Sequence, residues 1–310
     1  MKYRIRHVSR YHYSQAVNLC RNETCLLIRQ TEHQRCSSSV LQITPGATDV
    51  HERSDFFGNR RTHFAIHQPH EMLTVTAISD VEVFPRVYLQ KPEQSHPWEA
   101  VVEMLRTQRT PDIVAVMPYR YASPLIPLLP PLADYARVSM TPGRPLLVAT
   151  IDLMQRIHRE FSYDPTSTTI ATPLAEVLEK RRGVCQDFAH VAIGCLRALG
   201  LAARYVSGYI ETLPPPGQER LIGADASHAW FAVYLPGHGW LDFDPTNNYQ
   251  PLEQHITVAW GRDFSDVSPL KGIALGGGKH RVVVSVDVAR QPDQPLLLLQ
   301  QQQQSQGPLS

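Results

Sequence analysis

The sequence has no long hydrophobic run and no secretory signal. Its longest aliphatic stretch, Leu296–Leu299, falls far short of the roughly 18 apolar residues that a membrane-spanning helix needs. The chain begins MKYRIRH, which mixes charged and apolar residues and lacks the apolar core of a signal peptide. We therefore expect a cytoplasmic protein with no membrane partner.

An excess of charge of one sign is also missing. The 310 residues include 30 Lys and Arg against 29 Asp and Glu, which gives a net charge of +1. Whole-chain nucleic-acid binders are usually strongly basic, and acidic disordered chains carry a large excess of carboxylates, so neither class fits. We expect no nucleic-acid partner. The hydrophobic fraction of 43% is enough for one or two folded cores.

Cysteine is sparse, with five residues: Cys20, Cys25, Cys36, Cys185 and Cys195. An odd number at irregular spacing does not match a disulfide scaffold, and thiols stay reduced in the cytoplasm. Free cysteines usually pack as small core residues. We interpret Cys20, Cys25, Cys36 and Cys195 in this way, whereas Cys185 needs a different explanation.

Metal-binding and phosphate-binding motifs are absent from the sequence. It contains no His-Glu-x-x-His motif and no calcium loop of the EF-hand type. The histidine-dense segment 63–70 fits a solvated strand edge and turn better than a metal site. Gly276–Lys279 lacks the spacing of a phosphate loop. We therefore predict neither a metal nor a cofactor.

The hydrophobic pattern divides the chain into four parts. Residues 1–84 read as strands with turn signals between them, which predicts an N-terminal β-sandwich domain. Residues 85–144 form a proline-rich connector, in which we expect one helix, around Trp98–Gln108. Residues 145–290 are predicted to form an α+β core, and the Gln-rich tail at 291–310 is predicted to be disordered.

Within the core, helices come first and strands follow. A helical pattern begins at Leu147, and Thr172-Pro173 begins a helix that should end near Arg182, with Gly183 at its C-terminal cap. A further helix runs from near Cys185 to Gly200. Strands follow at Arg204–Glu211, His228–Leu235, Trp240–Asp244 and Arg281–Val288.

Cys185 lies at the start of a helix. The first turn of a helix presents unpaired N–H groups and the positive end of the helix dipole. Both favour a thiolate, which is the form that attacks carbonyl groups. The position therefore suits a nucleophile.

A histidine and an aspartate at strand ends could complete a catalytic set. His228 opens one strand and Asp244 closes the next, and these residue types supply a base and a group that orients it. Asp242 has the same parity as Asp244, so periodicity does not separate them. A connection with an even number of residues would place Asp244 opposite Phe231, on the wrong face for His228. A bulge, a shifted turn or strong twist is then required.

Four segments of the sequence form a combined pattern: RRGVCQDFAH (181–190), RALGLAARYVSGY (197–209), SHAW (227–230) and DPTN (244–247). This pattern resembles the bacterial transglutaminase-like superfamily of candidate cysteine proteases. DFFGN (55–59) is similar to the β domain that commonly precedes this core. HI (255–256) and GRDFSDVSP (261–269) resemble the segment that usually follows it.

The resemblance implies a papain-like core whose helix carries the cysteine and packs on an antiparallel sheet. It also implies that Cys185 is the nucleophile, His228 the general base and acid, and Asp244 the orienting carboxylate, because the family's aspartate precedes Pro-Thr. Tyr163 and Gln186 are candidates for a second oxyanion donor, beside the Cys185 N–H.

The expected function is a thiol acyl-transfer enzyme that acts on a protein or peptide. Hydrolysis of a peptide or carboxamide bond through a thioester is the first choice, and crosslinking by protein-glutamine transamidation is the second. The alternative from another class is a non-catalytic protein-binding module.

Overall fold

A computed structural model describes residues 1–211 and 227–292, and the Gln-rich tail from residue 293 onward lies outside the described residues. The strands and helices follow in chain order: β1 (Lys2–Thr24), β2 (Gln34–Thr44), β3 (Thr48–Ser54), β4 (Arg60–Ile66), β5 (His70–Val83), α1 (Trp98–Thr107), α2 (Pro111–Val116), α3 (Pro130–Arg137), α4 (Leu146–Glu160), β6 (Ser162–Tyr163), α5 (Leu174–Lys180), β7 (Arg182–Gly183), α6 (Cys185–Ala198), β8 (Ala203–Ile210), β9 (Ser227–Leu235), β10 (Gly239–Phe243), β11 (His255–Gly261), β12 (Leu270–Gly276) and β13 (His280–Gln291). Short 3₁₀ turns occupy Pro92–Gln94, Met117–Arg120 and Phe264–Asp266.

The N-terminal part is a seven-stranded antiparallel sheet built around β1. The first half of β1 pairs with β5 on one side and with β13 on the other. Its second half pairs with β4 and β12 in the same way. Tyr3 and Ile5 alternate with exposed residues, as expected for a strand with one face on a core.

The C-terminal strands differ from the predicted division of the chain. The hydrophobic pattern assigns this segment to a core ending at residue 290, but β12 and β13 both pair with β1 and so complete the N-terminal sheet. Val286 and Val288 of β13 are fully buried in the same apolar cluster as residues of the core. Strand pairing depends on partners distant in the chain, which local periodicity does not reveal.

The core is a four-stranded antiparallel sheet in the order β10-β9-β8-β11, with α6 packed against β8 and β9. Phe231 and Val233 of β9 are fully buried in the large apolar cluster that includes α6. Val206, Trp230 and Ala232 form a separate cluster with Trp240 and Trp260. The structure therefore confirms the predicted α+β class with a helix on an antiparallel sheet.

Two side-chain amides fasten the N-terminal sheet to β11, an edge strand of the core sheet. Gln34 accepts a hydrogen bond from the Thr257 N–H at 2.9 Å and donates to the Thr257 carbonyl at 2.6 Å. Asn59 does the same with Trp260, at 3.0 and 2.8 Å. The amides thus satisfy backbone groups that an edge strand would otherwise leave open.

The connector holds more helix than the sequence predicts. Besides the expected α1, it contains α2 and α3, and α3 packs on α6. Both extra helices begin with proline, at Pro111 and Pro130. Proline breaks a helix interior but suits the first helical position, because its missing N–H has no partner there in any case. Among the described helices, none has the length and apolar content to cross a membrane.

The helix boundaries near Cys185 are close to those predicted, with one correction. α6 begins at Cys185, and Gly200 follows its end with a φ of 89°. The left-handed residue that ends α5 is Arg181, with a φ of 50°, and not Gly183. Gly183 instead pairs with Tyr163 in a short parallel bridge.

Candidate active site

A buried carboxylate fixes the start of the helix that carries Cys185. Asp187 accepts hydrogen bonds from the Val184 N–H at 2.8 Å and from the Thr168 hydroxyl at 2.7 Å. Its side chain lies against Gly183, where an added Cβ would come within 2.4 Å of a carboxylate oxygen. Glycine at 183 is therefore required by this close approach. The chain enters α6 in one geometry, which positions the half-buried Cys185.

The register between β9 and β10 places both candidate aspartates on the face that carries His228. Gly239 pairs with Leu235 and Asp242 with Ala232, so the connection is Pro236–His238, with an odd number of residues. This is the shifted turn that the sequence required. Asp242 and Asp244 then lie on the same side of the sheet as Ala232 and His228.

The partners of the two aspartates distinguish them. Asp244 accepts a hydrogen bond from His228, with 2.7 Å between Nε2 and Oδ2. Asp242 forms an ion pair with Arg86 of the connector. The carboxylate beside His228 is thus Asp244.

His228 contacts both other members of the predicted triad. Burial by itself lowers the pKa of the ring, but the hydrogen bonds and charges of Asp244 and Cys185 outweigh this effect and raise the pKa of His228 to about 10. Because Nε2 is engaged by Asp244, Nδ1 is the ring nitrogen left for the thiol. The structure therefore brings Cys185, His228 and Asp244 together, and their catalytic roles stay a prediction.

Asp244 receives more hydrogen bonds than the sequence indicates. Its Oδ1 accepts from the backbone N–H groups of Thr246 and Asn247, at 2.9 and 3.2 Å. Its Oδ2 accepts from the Asn247 amide at 2.7 Å and from His255 Nε2 at 3.1 Å, in addition to His228. Although burial opposes ionisation, these donors hold the pKa of Asp244 well below its usual range.

His255 is the functional candidate that residue-by-residue reasoning missed. It begins β11, is fully buried, and shares the Asp244 carboxylate with His228. Burial is the main cause of its lowered pKa, so the ring stays neutral near pH 7 and donates through Nε2. The one signal in the sequence was the likeness of residues 255–256 to a family segment, which said nothing of this role.

Trp230 covers the buried side of this cluster. Its ring is fully buried, meets His255 edge-on at 5.1 Å between ring centres, and lies 6.0 Å from His228. Gly208 makes room for it, because a Cβ there would come within 2.7 Å of the indole and 2.0 Å of the Ile256 carbonyl oxygen. The indole thus shields the buried side of the His228, Asp244 and His255 cluster from water.

The two predicted oxyanion candidates lie near the thiol. Burial and the neighbouring Cys185 raise the pKa of Tyr163, which pairs with Gly183 and is more than half exposed. Gln186 follows Cys185 in the first turn of α6 and is half-buried. These surroundings do not favour either Tyr163 or Gln186 as the second oxyanion donor.

The remaining cysteines and His190 have structural surroundings. Cys20, Cys25, Cys36 and Cys195 are buried, as predicted, and the described thiols form no disulfide. His190 is buried on α6 and accepts a hydrogen bond from the Phe264 N–H at 3.2 Å. It is therefore engaged away from Cys185.

One group of side chains in the described ranges has the spacing of metal ligands: His228, Asp244 and His255, whose ligand atoms lie within 4.8 Å of one another. Both histidines direct Nε2 at the same carboxylate oxygen, at 2.7 and 3.1 Å. A metal ion would have to replace both of these hydrogen bonds. The arrangement fits a hydrogen-bonded network better than a metal site.

Comparison with known proteins identifies two family regions. Residues 3–82 match the bacterial transglutaminase-like N-terminal region, and residues 136–245 match the transglutaminase-like superfamily core. An uncharacterised protein of Mycobacterium tuberculosis is 41% identical over 297 residues, which cover 93% of this chain and 92% of that protein.

Two further comparisons concern fold and a distant relative. A solved structure of a candidate cysteine protease from Cytophaga hutchinsonii aligns with a TM-score of 0.74 and 23% identity, and covers 95% of this chain and 93% of that one. This likeness shows the fold. A protein-glutamine gamma-glutamyltransferase of Pseudomonas aeruginosa is 31% identical over 155 residues, which are 45% of this chain and 22% of that protein. The chain belongs to the transglutaminase-like superfamily.

Proposed function

We propose that the protein is a thiol acyl-transfer enzyme that cleaves a peptide or carboxamide bond through a thioester on Cys185. The observation that carries the proposal is the buried His228–Asp244 pair, joined at 2.7 Å, beside a thiol in the first turn of α6. A nucleophile, a base and an orienting carboxylate are the groups that acyl transfer needs. A binding module has no need of a buried charged pair next to a thiol.

The chemistry follows from these positions. The Cys185 thiolate attacks the carbonyl carbon, and the developing oxyanion meets the Cys185 N–H, which belongs to the first helical turn and has no acceptor within the helix. The tetrahedral intermediate collapses, the C–N bond breaks, and the leaving amine takes a proton from the His228 imidazolium. This step leaves a thioester on Cys185.

The second half releases the acyl group. His228 takes a proton from water, the resulting hydroxide attacks the thioester, and the C–S bond breaks to give a carboxylic acid and the thiolate. Asp244 stabilises the imidazolium in both halves and holds the ring with Nδ1 toward sulfur. Its own pKa, held low by its donors, keeps it ionised throughout.

Transamidation is the second candidate, in which an amine replaces water as the attacking group. The observation in its favour is the distant likeness to the protein-glutamine gamma-glutamyltransferase of Pseudomonas aeruginosa. Hydrolysis remains the first choice because it needs no second substrate site.

Alkylation of the thiols by iodoacetamide as a function of pH tests the proposed nucleophile. We expect Cys185 to react faster than the four buried cysteines, which are internal controls, and to react more slowly in His228→Ala. Peptide mass mapping identifies the modified residue. Equal rates at Cys185 in the two proteins would contradict a thiol–imidazole pair.

A second assay tests the reaction itself. The full chain and Cys185→Ala are incubated with glutamine-containing peptides, with and without a fluorescent primary amine. Hydrolysis releases ammonia or a cleaved peptide without the amine, whereas transamidation requires incorporation of the amine into the peptide. Incorporation that exceeds hydrolysis would replace the first candidate by the second. Activity that survives in Cys185→Ala would overturn both.

A further inference from the structure

A cavity of about 400 Å³ lies where the N-terminal sheet, the connector and the core sheet meet. It opens on the sheet face that carries Val206 and Asp242. Apolar and aromatic groups form much of its wall: Val87, Tyr88, Val116, Tyr119, Val206, Trp240 and Leu241. Its volume is in the range of small-molecule sites, about 300–1,000 Å³.

Two arginines and one aspartate supply the buried charge of this cavity. Arg86 and Asp242 form an ion pair and are each more than nine-tenths buried at the side chain. Arg204, of which 9% is exposed, has no carboxylate within ion-pair distance among the described residues. Glu32 lines the rim, but its side chain is 81% exposed and lies 3.3 Å from His33. The buried lining therefore retains one uncompensated positive charge.

The surroundings of Arg204 stabilise a planar cation without neutralising it. Its guanidinium lies 3.9 Å from the Trp260 ring centre and 4.5 Å from that of Trp240. Its Nε is buried without an acceptor among the described residues. Burial lowers the pKa of Arg204 to about 9. Arg29 also stacks on Trp260, at 3.2 Å, and adds positive charge nearby.

An unpaired buried cation lowers the stability of the folded state, and native proteins seldom keep one without a function. A planar guanidinium matches the two oxygens of a carboxylate, and one negative charge would balance the cavity. We propose that this cavity binds a small organic monocarboxylate, with its carboxylate on Arg204 and its apolar body against Tyr88, Tyr119 and Val116. The cavity is lined by none of Cys185, His228 and Asp244, so this binding is separate from the proposed acyl transfer.

Saturation-transfer NMR with phenylacetate tests the proposal, and phenylacetamide serves as the uncharged match. We expect phenylacetate to bind the full chain about tenfold more tightly than phenylacetamide, because only the carboxylate forms charge-assisted hydrogen bonds with arginine. Cys185→Ala should bind phenylacetate as the wild type does. Loss of acyl transfer in that variant would leave this result unaffected, which separates the two proposals.

Two substitutions locate the site. Arg204→Met should abolish the preference for phenylacetate. Ala115→Trp places an indole at the exposed rim of the cavity and should block binding without disturbing the buried arginine. Val114→Trp, on the exposed neighbouring residue that does not line the cavity, is its control and should bind normally.

Four outcomes would overturn the proposal, and three of them come from the phenylacetate measurements alone. These are no saturation transfer from phenylacetate at about 10 mM, where even weak ligands are detected; equal binding of phenylacetamide; and unchanged binding in Ala115→Trp. Tighter binding of inorganic phosphate than of phenylacetate would also overturn the assignment of a monocarboxylate.

Discussion

Two buried charged groups lie on one face of the core sheet, and their surroundings compensate their charges to very different extents. At the sheet edge where β9 begins and β10 ends, Asp244 is fully buried and receives hydrogen bonds from His228, His255 and Asn247. On β8, opposite Ala232, Arg204 is nearly as buried but lies only against aromatic rings. One charge is fully compensated, and the other is not.

The two arrangements suit the different roles that we propose for these groups. A carboxylate with a full set of donors stays ionised and holds its partner ring in one orientation, as proton transfer requires. A guanidinium without a counter-charge is ready to accept an anion from outside. Asp242 and Arg86 line the same cavity as Arg204, and they compensate each other.

Among the variants that separate these charged groups, Asp244→Asn should cause the largest loss of turnover. The amide keeps the shape of the carboxylate but removes the charge that stabilises the imidazolium, so we expect turnover to fall roughly 10³–10⁴-fold. Steady-state kinetics on a peptide amide measures it. Asp242→Asn is the matched control, and its folded fraction should keep turnover within about threefold of wild type. Equal losses in the two variants would show that the partners of the aspartates do not separate their roles.

Asp242→Asn should instead reduce stability. The substitution leaves Arg86 as an uncompensated buried cation, and we expect the free energy of unfolding to fall by about 3 kcal/mol. Urea denaturation followed by circular dichroism measures this change. A loss below about 0.5 kcal/mol, which is ordinary for a surface substitution, would mean that the ion pair is not buried in solution.

The stability that the His228–Asp244 pair supplies should depend on pH within a defined window. The lowered pKa of Asp244 makes its contribution present above its ordinary value of 3.8 and lost as pH falls below it. The raised pKa of His228 makes its contribution full below its ordinary value of 6.5 and lost as pH rises to about 10.

The unfolding free energy of wild type minus that of Asp244→Asn should therefore be largest between pH 3.8 and 6.5 and decline on both sides. Urea titrations across the pH range measure this difference. A difference that stays constant from acid to alkaline pH would contradict the charged pair.

His255→Leu should have a smaller effect on activity. Removing one donor raises the pKa of Asp244 and loosens its hold on His228, so kcat should fall about tenfold and the pH profile should shift. His255→Gln keeps an N–H donor and should restore much of the loss. The ratio of kcat between these two variants is the readout. If Leu and Gln act alike, the histidine serves only in packing.

Arg204→Met should have the smallest effect on stability. The change removes an uncompensated buried charge but also the contacts of the guanidinium with Trp240 and Trp260. These contributions oppose each other, so we expect the free energy of unfolding to stay within about 1 kcal/mol of wild type. Thermal and urea denaturation measure it without added carboxylate. A loss near 3 kcal/mol would show that Arg204 is structural, as Arg86 is.

Much of the site could be predicted because local sequence patterns indicate the helix and the strand that carry Cys185 and His228. Helical spacing together with Gly200 fixes α6 within a residue or two, and this places Cys185 in its first turn. Alternation locates the strand that begins with Ser227 and His228. The two connector helices that begin with proline do not follow from the local pattern, because proline both breaks a helix interior and suits a helix start.

Local patterns were enough to place α6, β9 and β10, to supply the residue types of the proposed triad and to give the α+β class, because these depend on neighbours within a few residues. Long-range packing sets the remainder. It turns Asp244 toward His228 through the connection Pro236–His238 and brings His255 to them. It also joins β12 and β13 to β1 and leaves Arg204 without a counter-charge. Register and burial depend on contacts between distant segments, whose pairing no local pattern encodes.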